Sequence, residues 1–494
     1  MTTLGIANDS RTLDRVPRPT PSRLHVDGAW VDAADSRSFE VENPATGTVL
    51  ARVADATVPD ATTALVAAAK AQAAWRAVVP RARAALLRRG RDLLEERAED
   101  VATVMTLESG KPLSESRAEV AGSIESVDFA IERISDLHGH VGPGSHGGYD
   151  IVTRYEPIGP SLLITPWNFP LLMPARKLAA ALAAGCTVVL KPAAETPLTA
   201  LLLVEAFADA GLPPGVLNVL PTTHDQAISA SVMADPRLRK ISFTGSTAVG
   251  AQLLTQAAPH VISASMELGG DGPFLVLERA DVEHAARQAV LCKFRNAGQV
   301  CTTANRILVH EAVADRFFDR FVALTEQLVV GDGFAPGTDV GPMISARQRE
   351  RSLGMIREAR ESGATVLTGG DVVAGEGHFL QPTIITDIRP GTALAEEEIF
   401  APVAAIYRVD STDAAVALAN DSARGLAGYV FSEDVREALE VADRLECGMV
   451  GVNRSLINDS AAPFGGVKSS GLGREGGPGA LYEYLEAKYV ALTR

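Results

Sequence analysis

The stretch from residue 187 to residue 220, TVVLKPAAETPLTALLLVEAFADAGLPPGVLNVL, is the clearest indication of the fold. It begins with the apolar run TVVL (187–190) and ends with VLNVL (216–220). Between them PLTALLLVEAFADA (197–210) has the composition of a helix, which Gly211 and the prolines after it would close. Because neither strand-like run alternates polar and apolar residues, the pattern predicts parallel strands that are buried on both faces.

The same rhythm extends along the chain on either side of this stretch. RKISF (239–243) is followed by the helical TAVGAQLLTQAA, and after residue 270 the alternation restarts with PFLVL, ADVEHAARQAVLCKF and RILVH and continues to LAGYVF and GMVGVN. Residues 60–135 are predicted to be mostly helical. We therefore expect an α/β protein with two doubly wound parallel-sheet domains and a boundary near residue 268.

Composition and charge limit the possible partners. The 494 residues are too many for one core, and 61 acidic against 46 basic side chains give a net charge of −15. This charge argues against a nucleic-acid or anionic-membrane partner. No apolar run approaches the ~18 residues of a membrane span, and the opening residues lack the apolar core of a signal peptide. We expect a cytoplasmic protein in which residues 1–23 form a loose tail.

The four cysteines, at positions 186, 292, 301 and 447, show neither paired nor metal-ligand spacing, so we expect reduced thiols and no metal. Cys186 and Cys292 lie in apolar runs and are interpreted as core residues. Cys301 instead follows the polar, glycine-containing stretch FRNAGQV. This polar stretch can leave the thiol exposed, and nearby N–H groups can lower its pKa. A nucleophilic role and a structural role are therefore equally compatible with the spacing.

Three other segments carry groups suited to chemistry. Gly245-Ser-Thr-Ala-Val-Gly250 lies at a strand-to-helix turn, where backbone N–H groups can hold a pyrophosphate, although a tight turn alone also explains the glycines. Glu267 stands at a strand end before two glycines, as a functional carboxylate or a salt-bridged one. Asn168 lies between two prolines that fix its loop, as a rigid hydrogen-bond donor or an ordinary turn residue.

In chain order these segments resemble the aldehyde dehydrogenase superfamily, over nearly the whole chain from about Val26 onward. The matching motifs are TPWNFP (165–170), KP (191–192), FTGST (243–247), MELGG (266–270), GQVC (298–301), EEIFAP (397–402) and PFGGVKSSGLGRE (463–475).

This resemblance implies the reaction and the residues that perform it. Cys301 would attack the aldehyde and form a thioester, Asn168 and the Cys301 N–H would hold the oxyanion, and Glu267 would activate the water that releases the acid. The resemblance also implies a set of dinucleotide contacts: Thr165, Trp167, Lys191, Ala194, Glu195, Gly245, Ser246, Gly250, Glu398 and Phe400.

The resemblance also divides the chain into parts. A Rossmann-like coenzyme domain would comprise residues 24–138 and 160–267, and a catalytic domain residues 268–477. The strand-like segments within 139–159 and 478–494 would form a small β oligomerisation domain, so we expect a homodimer or a homotetramer.

Within the superfamily, the sequence is similar to the succinate-semialdehyde dehydrogenase branch. Arg176 and Arg295 match the two arginines that grip the distal carboxylate of the substrate there, and Asn458 takes the place of a substrate-binding serine. The neighbouring Asp459 would repel a carboxylate if it pointed inward. Thr303 replaces a second cysteine of the branch, which removes a local disulfide switch, and Ala401 replaces a family glycine near the cofactor.

Cofactor preference depends on the segment KPAAETP (191–197). Members of the family that prefer NAD commonly place a glutamate three residues after the lysine, where this chain has Ala194, with Glu195 one position later. Without a carboxylate at that position, Lys191 can pair with a 2′-phosphate. We therefore expect NADP or NAD to be used, with NADP slightly favoured.

Three alternatives remain open from the sequence. One is an aldehyde dehydrogenase of broad specificity that acts on aldehydes without a carboxylate. Another is a CoA-acylating relative, against which Glu267 argues, because that branch does without the general base. The last is a binding protein without catalytic activity on the same scaffold.

Overall fold

The structure is a computed structural model that describes residues 20–493. Within these residues, the first sheet has eight strands, of which the central five are parallel. In spatial order its strands are Ala29–Val31, Leu24–Val26, Leu217–Val219, Val188–Lys191, Ser161–Ile164, Lys240–Thr244, Ser263–Glu267 and Gly471–Leu472. Both faces of the central strands are buried, as the apolar run TVVL (187–190) predicts.

Helices cover both faces of this sheet, and the sheet separates two apolar clusters, one on each side. One helix, Leu172–Ala184, is buried along its whole length and ends where Gly185 takes a left-handed conformation with φ of 96°. The other α-helices of this part of the chain are Val58–Ala77, Pro80–Glu96, Ala98–Ser109, Leu113–Arg133, Pro197–Asp209, Asp225–Met233 and Thr247–Ala257. Residues 60–135 are therefore mostly helical, as predicted.

The second sheet has seven strands within the described chain, and all neighbouring pairs are parallel except the one at its edge. In spatial order the strands are Thr365–Thr368, Thr383–Thr386, Val403–Val409, Ala304–His310, Gly272–Val276, Ala427–Phe431 and Met449–Val452. Its α-helices are Val282–Phe294, Glu311–Thr325, Ala346–Glu361, Ala393–Glu396, Thr412–Asn420 and Val435–Arg444. The predicted α/β class with two doubly wound sheets is confirmed.

A third, small sheet joins three antiparallel strands, His140–Pro143, Tyr149–Pro157 and Leu485–Thr493. The last two pair over their full length, from Tyr149 with Thr493 to Pro157 with Leu485. Val141, Tyr489 and Leu492 are exposed on these strands. The sheet contains both strand-like segments that the sequence assigned to oligomerisation.

Other parts of the chain were not foreseen. A hairpin pairs Ser38–Asn43 with Thr48–Ala54, and a two-residue ladder pairs Arg424–Gly425 with Val467–Lys468. The strand Gly471–Leu472 adds to the first sheet, beside Ser263–Glu267, although it follows the second sheet in the chain. Residues 1–19 of the predicted tail lie outside the described residues, while Thr20 is buried. None of the helices within residues 20–493 has the length and apolar character needed to cross a membrane.

Candidate active site

A cleft of about 440 Å³ opens between the two large sheets. In the first sheet, the strand Ser263–Glu267 ends at this cleft. In the second sheet, Cys301 lies just before the strand Ala304–His310 and also lines the cleft. Eight of the residues singled out from the sequence line it: Trp167, Asn168, Gly245, Ser246, Glu267, Cys301, Glu398 and Phe400. The fold thus brings together residues that are far apart in the chain.

Cys301 follows a turn in which Asn296 and Ala297 hold left-handed φ angles of 49° and 53°. Although Cys301 is partly exposed as a residue, burial raises the pKa of its thiol to about 12, and the carboxyl groups of Glu398 and Glu267 add to this shift. Two arginines act in the opposite direction. The expectation of a lowered pKa is therefore wrong for this structure, because carboxylates and burial outweigh the cationic groups.

Asn168 is buried, and its loop is tied to the segment that leads to Cys301. Its side-chain Nδ2 donates to the carbonyl of Gln299 at 2.8 Å, and its own carbonyl accepts from Lys111 Nζ at 2.8 Å and from Asn296 Nδ2 at 3.0 Å. A primary amide has two N–H donors, so one remains for an oxyanion. Lys111 and Gln299 were not singled out from the sequence, because their role depends on contacts distant in the chain.

Glu267 is buried at the end of its strand, and its Oε2 accepts no hydrogen bond from the described residues. Burial, followed by the nearby carboxyl of Glu475, holds its pKa well above the ordinary range, against the opposing effect of Lys177 and Arg176. Lys177 is ion-paired to Glu475 and donates to Ser242 Oγ at 3.0 Å. This polar cluster behind Glu267 was missed, although Glu475 belongs to the quoted GRE motif.

Glu398 and Phe400 form the wall opposite Trp167. Glu398 Oε1 accepts from the backbone N–H of Gly270 at 3.1 Å, and burial raises its pKa to about 7. A Cβ on Gly269 would lie 2.6 Å from Glu398 Oε2, so only glycine leaves room for this carboxylate. The rings of Trp167 and Phe400 meet edge to face, with centroids 5.4 Å apart.

The glycines of the Gly245–Gly250 segment are explained by close packing. A Cβ on Gly245 would lie 2.4 Å from the ring of Phe243, and one on Gly250 would lie 2.4 Å from Leu268. Gly245 lines the cleft, whereas Gly250 faces Leu268, where the absence of a side chain allows the helix to pack closely. Ser246 caps the helix Thr247–Ala257 through Val249 N at 3.4 Å.

The ends of two adjacent strands of the first sheet offer polar groups without partners. Thr165 follows Ser161–Ile164 and Thr244 ends Lys240–Thr244, and the Oγ1 of each is buried without a hydrogen bond to the described residues. The strand order reverses between these two strands, and such a point is where open α/β sheets bind dinucleotides at their carboxyl edge. Orphaned hydroxyls and the glycine-lined wall therefore fit a polar dinucleotide.

The outer group of predicted cofactor residues lies away from the cleft lining. Lys191 ends the strand Val188–Lys191, is buried, and forms an ion pair with Asp225. Ala194 and Glu195 are half-buried in the loop that follows. Asp225 was not singled out from the sequence, because nothing in its local context indicates that it meets Lys191.

The three predicted substrate residues also lie outside the lining of the cleft. Arg176 is buried and donates through Nη2 to Asn458 Oδ1 at 2.6 Å. Arg176 stacks on Phe464 at 4.8 Å, and Arg295 stacks on Phe169 at 5.8 Å. Both phenylalanines line the cleft, so each arginine is placed directly behind it.

The structure explains the three positions, 459, 303 and 401, at which the sequence departs from the branch. Asp459 is exposed and accepts from Ala461 N at 2.9 Å, so it does not point inward as a source of repulsion. Thr303 donates to the carbonyl of Cys292 at 3.0 Å and is buried. Ala401 lies in the core of the second domain, and its φ is outside the left-handed region, so a side chain is tolerated there.

Comparison with known proteins places the chain in a family. Residues 30–490 match the aldehyde dehydrogenase family. The succinate-semialdehyde dehydrogenase of Paenarthrobacter nicotinovorans is 47% identical over 445 residues, which are 90% of this chain and 99% of the relative. The NADP(+) succinate-semialdehyde dehydrogenase of Escherichia coli is 40% identical, with 94% and 97% covered. The structure of betaine aldehyde dehydrogenase from Staphylococcus aureus in complex with NAD+ is 32% identical with a TM-score of 0.95, covering 98% of this chain and 97% of that one.

A cysteine and two carboxylates line one cleft beside the point where the strand order reverses, which fits an oxidoreductase that uses a dinucleotide. The chain belongs to the aldehyde dehydrogenase family, and the prediction of an NAD(P)-dependent aldehyde dehydrogenase is confirmed. Among residues 20–493 no group of three or more His, Cys, Asp or Glu side chains is arranged to hold a metal ion.

Proposed function

We propose that this enzyme oxidises a semialdehyde with a distal carboxylate, succinate semialdehyde first, to the dicarboxylic acid. The observation that carries the proposal is the pair Arg176 and Arg295. Both guanidinium groups lie close enough to Cys301 to lower the pKa of its thiol, and both have nitrogen atoms without a partner among the described residues. The name of the Paenarthrobacter relative supports the same substrate class.

The unsatisfied donors favour an anionic ligand. Nε and Nη1 of the buried Arg176 make no hydrogen bond, and neither does Nε of Arg295. A buried charged donor without a partner is costly, and a carboxylate is the ligand that matches the guanidinium fork. We infer that the substrate carboxylate passes between Phe169 and Phe464 to reach these nitrogens, while Asn458 holds Arg176 in place.

The remaining chemistry is assigned to the groups in the cleft. Because the thiol of Cys301 has a raised pKa, it has to lose its proton to a base as it attacks the aldehyde carbon. Glu267, with a carboxyl pKa above its ordinary value, is a stronger base than a solvent-exposed glutamate. The free N–H of Asn168 and the backbone N–H of Cys301 hold the developing oxyanion. The proton that Glu267 takes from the thiol passes to solvent before the next step. Once the thioester has formed, the Glu267 carboxylate removes a proton from the water that releases the acid.

The residues proposed to hold the dinucleotide are Thr165, Thr244, Gly245, Ser246, Glu398, Phe400 and Lys191. When bound, NAD or NADP accepts the hydride that leaves the aldehyde carbon. Glu398 lies beside Gly270 with its position fixed by the backbone, and Trp167 and Phe400 exclude water from that side.

We also propose that the sheet His140–Pro143, Tyr149–Pro157 and Leu485–Thr493 joins copies of the chain into a homodimer or homotetramer, through its exposed edges and apolar side chains. The division into coenzyme, catalytic and oligomerisation domains and the cytoplasmic location stay predictions.

The substrate proposal is tested with a matched pair of four-carbon aldehydes, succinate semialdehyde and butanal, which differ in the terminal carboxylate. For Arg295→Ala and Arg176→Ala we expect kcat/KM for succinate semialdehyde to fall about 100-fold, the usual cost of removing one partner of a buried charge pair. The value for butanal should stay within about threefold. Arg295→Lys keeps the charge without the fork and should lie between the two.

An equal loss for both aldehydes would reduce the arginines to a structural role and favour the enzyme of broad specificity. Acid formation in the absence of CoA separates the hydrolytic enzyme from the CoA-acylating alternative, because the latter releases an acyl-CoA instead of an acid.

A further inference from the structure

The ion pair between Lys191 and Asp225 has no role in the chemistry described above. Lys191 is 5% exposed at the carboxyl end of its strand, whereas the Asp225 side chain is 60% exposed at the start of the helix Asp225–Met233. The carboxylate of Asp225 contacts Lys191 Nζ directly. A buried ammonium group is therefore neutralised by a carboxylate that faces the surface.

The loop that carries Asp225 is anchored from below. Asp55, which is buried, accepts hydrogen bonds from Thr223 N at 2.8 Å, from Thr223 Oγ1 at 2.7 Å and from Thr222 Oγ1 at 3.1 Å. Thr222 Oγ1 in turn accepts from His224 N at 2.9 Å. The chain leading into Asp225 is thus held in one conformation, so its carboxylate is presented to Lys191 without a large cost in conformational entropy.

The neighbouring residues offer no other carboxylate to Lys191. Ala194, at the position of the family glutamate, is uncharged, and the carboxylate of Glu195 makes no hydrogen bond or ion pair with any residue between 20 and 493. Lys191 ends the strand Val188–Lys191, which is parallel to the neighbouring strand Leu217–Val219. Lys191 and the loop after Leu217–Val219 therefore meet at the carboxyl edge of the sheet, where a dinucleotide binds.

We propose that Asp225 is a specificity-determining residue that discriminates between NAD and NADP. This inference rests on the proposed function, in which Lys191 belongs to the dinucleotide site and faces the adenosine ribose. A carboxylate on Lys191 accepts hydrogen bonds from the ribose hydroxyls of NAD, whereas it repels a 2′-phosphate and competes with it for the ammonium group. Since Asp225 is largely exposed, it can turn to solvent, so NADP is still accepted when Lys191 is released to the phosphate.

Direct binding tests this without turnover. NADH and NADPH differ only in the 2′-phosphate, and their fluorescence can be titrated with enzyme in the absence of aldehyde. For Asp225→Asn we expect the ratio of the NADH to the NADPH dissociation constant to rise about tenfold, as for one partly screened charge contact. Raised salt should shrink the difference between wild type and variant, because the charge that discriminates is exposed.

Matched variants decide the assignment. Asp413→Asn removes the same charge from an exposed ion pair with Arg444 and should leave the ratio unchanged. A ratio unchanged in Asp225→Asn, or a shift found in Glu195→Gln instead, would overturn the proposal. If Asp225→Asn melts at a lower temperature than wild type, Asp225→Ser gives the same comparison with a shorter polar side chain.

The test of Asp225 and the test of the substrate can fail independently of each other. An enzyme that oxidises succinate semialdehyde but shows no shift in the binding ratio overturns only the role of Asp225. An enzyme that fails to oxidise semialdehydes but shows the shift supports the role of Asp225 and contradicts the substrate.

Discussion

Two regions of this enzyme bury ionisable side chains, and they treat them in opposite ways. In the active site, Glu267 and Arg176 are buried with polar atoms that have no partner among residues 20–493. In a second cluster, formed by Glu108, Lys111 and Glu119 beneath the helices of the first domain, the buried charged groups are hydrogen-bonded. Both regions contain buried glutamates, so the difference between Glu267 and Glu108 lies in their surroundings.

The second cluster has a structural purpose that its hydrogen bonds reveal. Glu108 accepts from the backbone N–H groups of Leu198 at 2.8 Å and Thr199 at 2.9 Å, in the first turn of the helix Pro197–Asp209. Glu119 likewise accepts from Leu171 and Leu172, at the start of Leu172–Ala184, and is ion-paired with Lys111 at 2.5 Å. These carboxylates cap helix N-termini that would otherwise leave buried donors unsatisfied.

A raised pKa does not separate the two regions. Burial raises the pKa of Glu108 to about 8, despite its backbone hydrogen bonds, and it raises the pKa of Glu267 as well. The useful distinction is whether the buried polar atoms have hydrogen-bond partners in the protein. Atoms without such partners are available to substrate and water, while hydrogen-bonded atoms stabilise the fold. Substitutions in the first region should therefore reduce activity and spare stability, and those in the second should do the reverse.

The largest effect is expected for Cys301→Ala, which removes the nucleophile. We expect kcat to fall at least about 10³-fold, because no other group in the cleft can form the thioester. The measurement is NAD(P)H formation at saturating aldehyde, together with mass spectrometry of the acylated enzyme. Cys447→Ala is the control, since Cys447 is also a partly exposed free thiol but lies outside the cleft. Residual activity close to wild type would contradict the thioester mechanism.

A smaller loss, of about 10²-fold in steady-state kcat, is expected for Glu267→Gln, because an amide cannot activate water. A burst of NAD(P)H equal to the enzyme should precede the slow steady state if deacylation is the step affected. In the wild type the carboxylate form is required, so activity should be lost as pH falls through the raised pKa of Glu267. A pH profile without such an acidic limb above the usual glutamate range would contradict the assignment.

How far the sequence alone reached depends on whether a feature is local. Apolar runs such as TVVL (187–190) and VLNVL (216–220) indicate buried parallel strands by themselves, because burial on both faces needs only an unbroken apolar segment. The strand Gly471–Leu472 could not be foreseen, since two residues carry no periodicity and its partner is Glu267, about two hundred positions earlier. The raised pKa of Cys301 arises first from burial and then from Glu398 and Glu267, which lie 97 and 34 positions away in the chain.

The motifs for the candidate site were recognisable because the family keeps them in order, but their physical roles were not. Gly250 is predicted to contact the cofactor, and the structure adds that it packs closely on Leu268, which the motif does not indicate. Asp459 raised the expectation of repulsion toward a carboxylate, but a hydrogen bond to Ala461 N directs it away. Side-chain direction is decided by tertiary contacts, which single-sequence patterns do not contain.

The smallest effect, and the sharpest test of the comparison, is the same substitution in the second cluster. Glu108→Gln replaces an acceptor oxygen with an NH₂ group that faces a backbone donor, so at about pH 6 we expect a loss of about 1–3 kcal/mol in the free energy of unfolding. Steady-state kcat should stay near wild type. Glu267→Gln is the matched partner and should leave stability unchanged or slightly raised, because the carboxyl oxygen Oε2 that it replaces has no partner within the described chain.

The pH dependence follows from the raised pKa of Glu108 in the folded state. A carboxyl group whose folded pKa of about 8 exceeds its ordinary value of 4.5 contributes stability that is fully present below the lower value and is lost as pH rises through the higher one. The stability difference between wild type and Glu108→Gln, measured by denaturant unfolding, should therefore shrink between about pH 6 and about pH 9. A difference that grows over this range would mean that the carboxylate form is the one bound by Leu198 and Thr199, and the two buried regions would then differ in charge state as well as in hydrogen bonding.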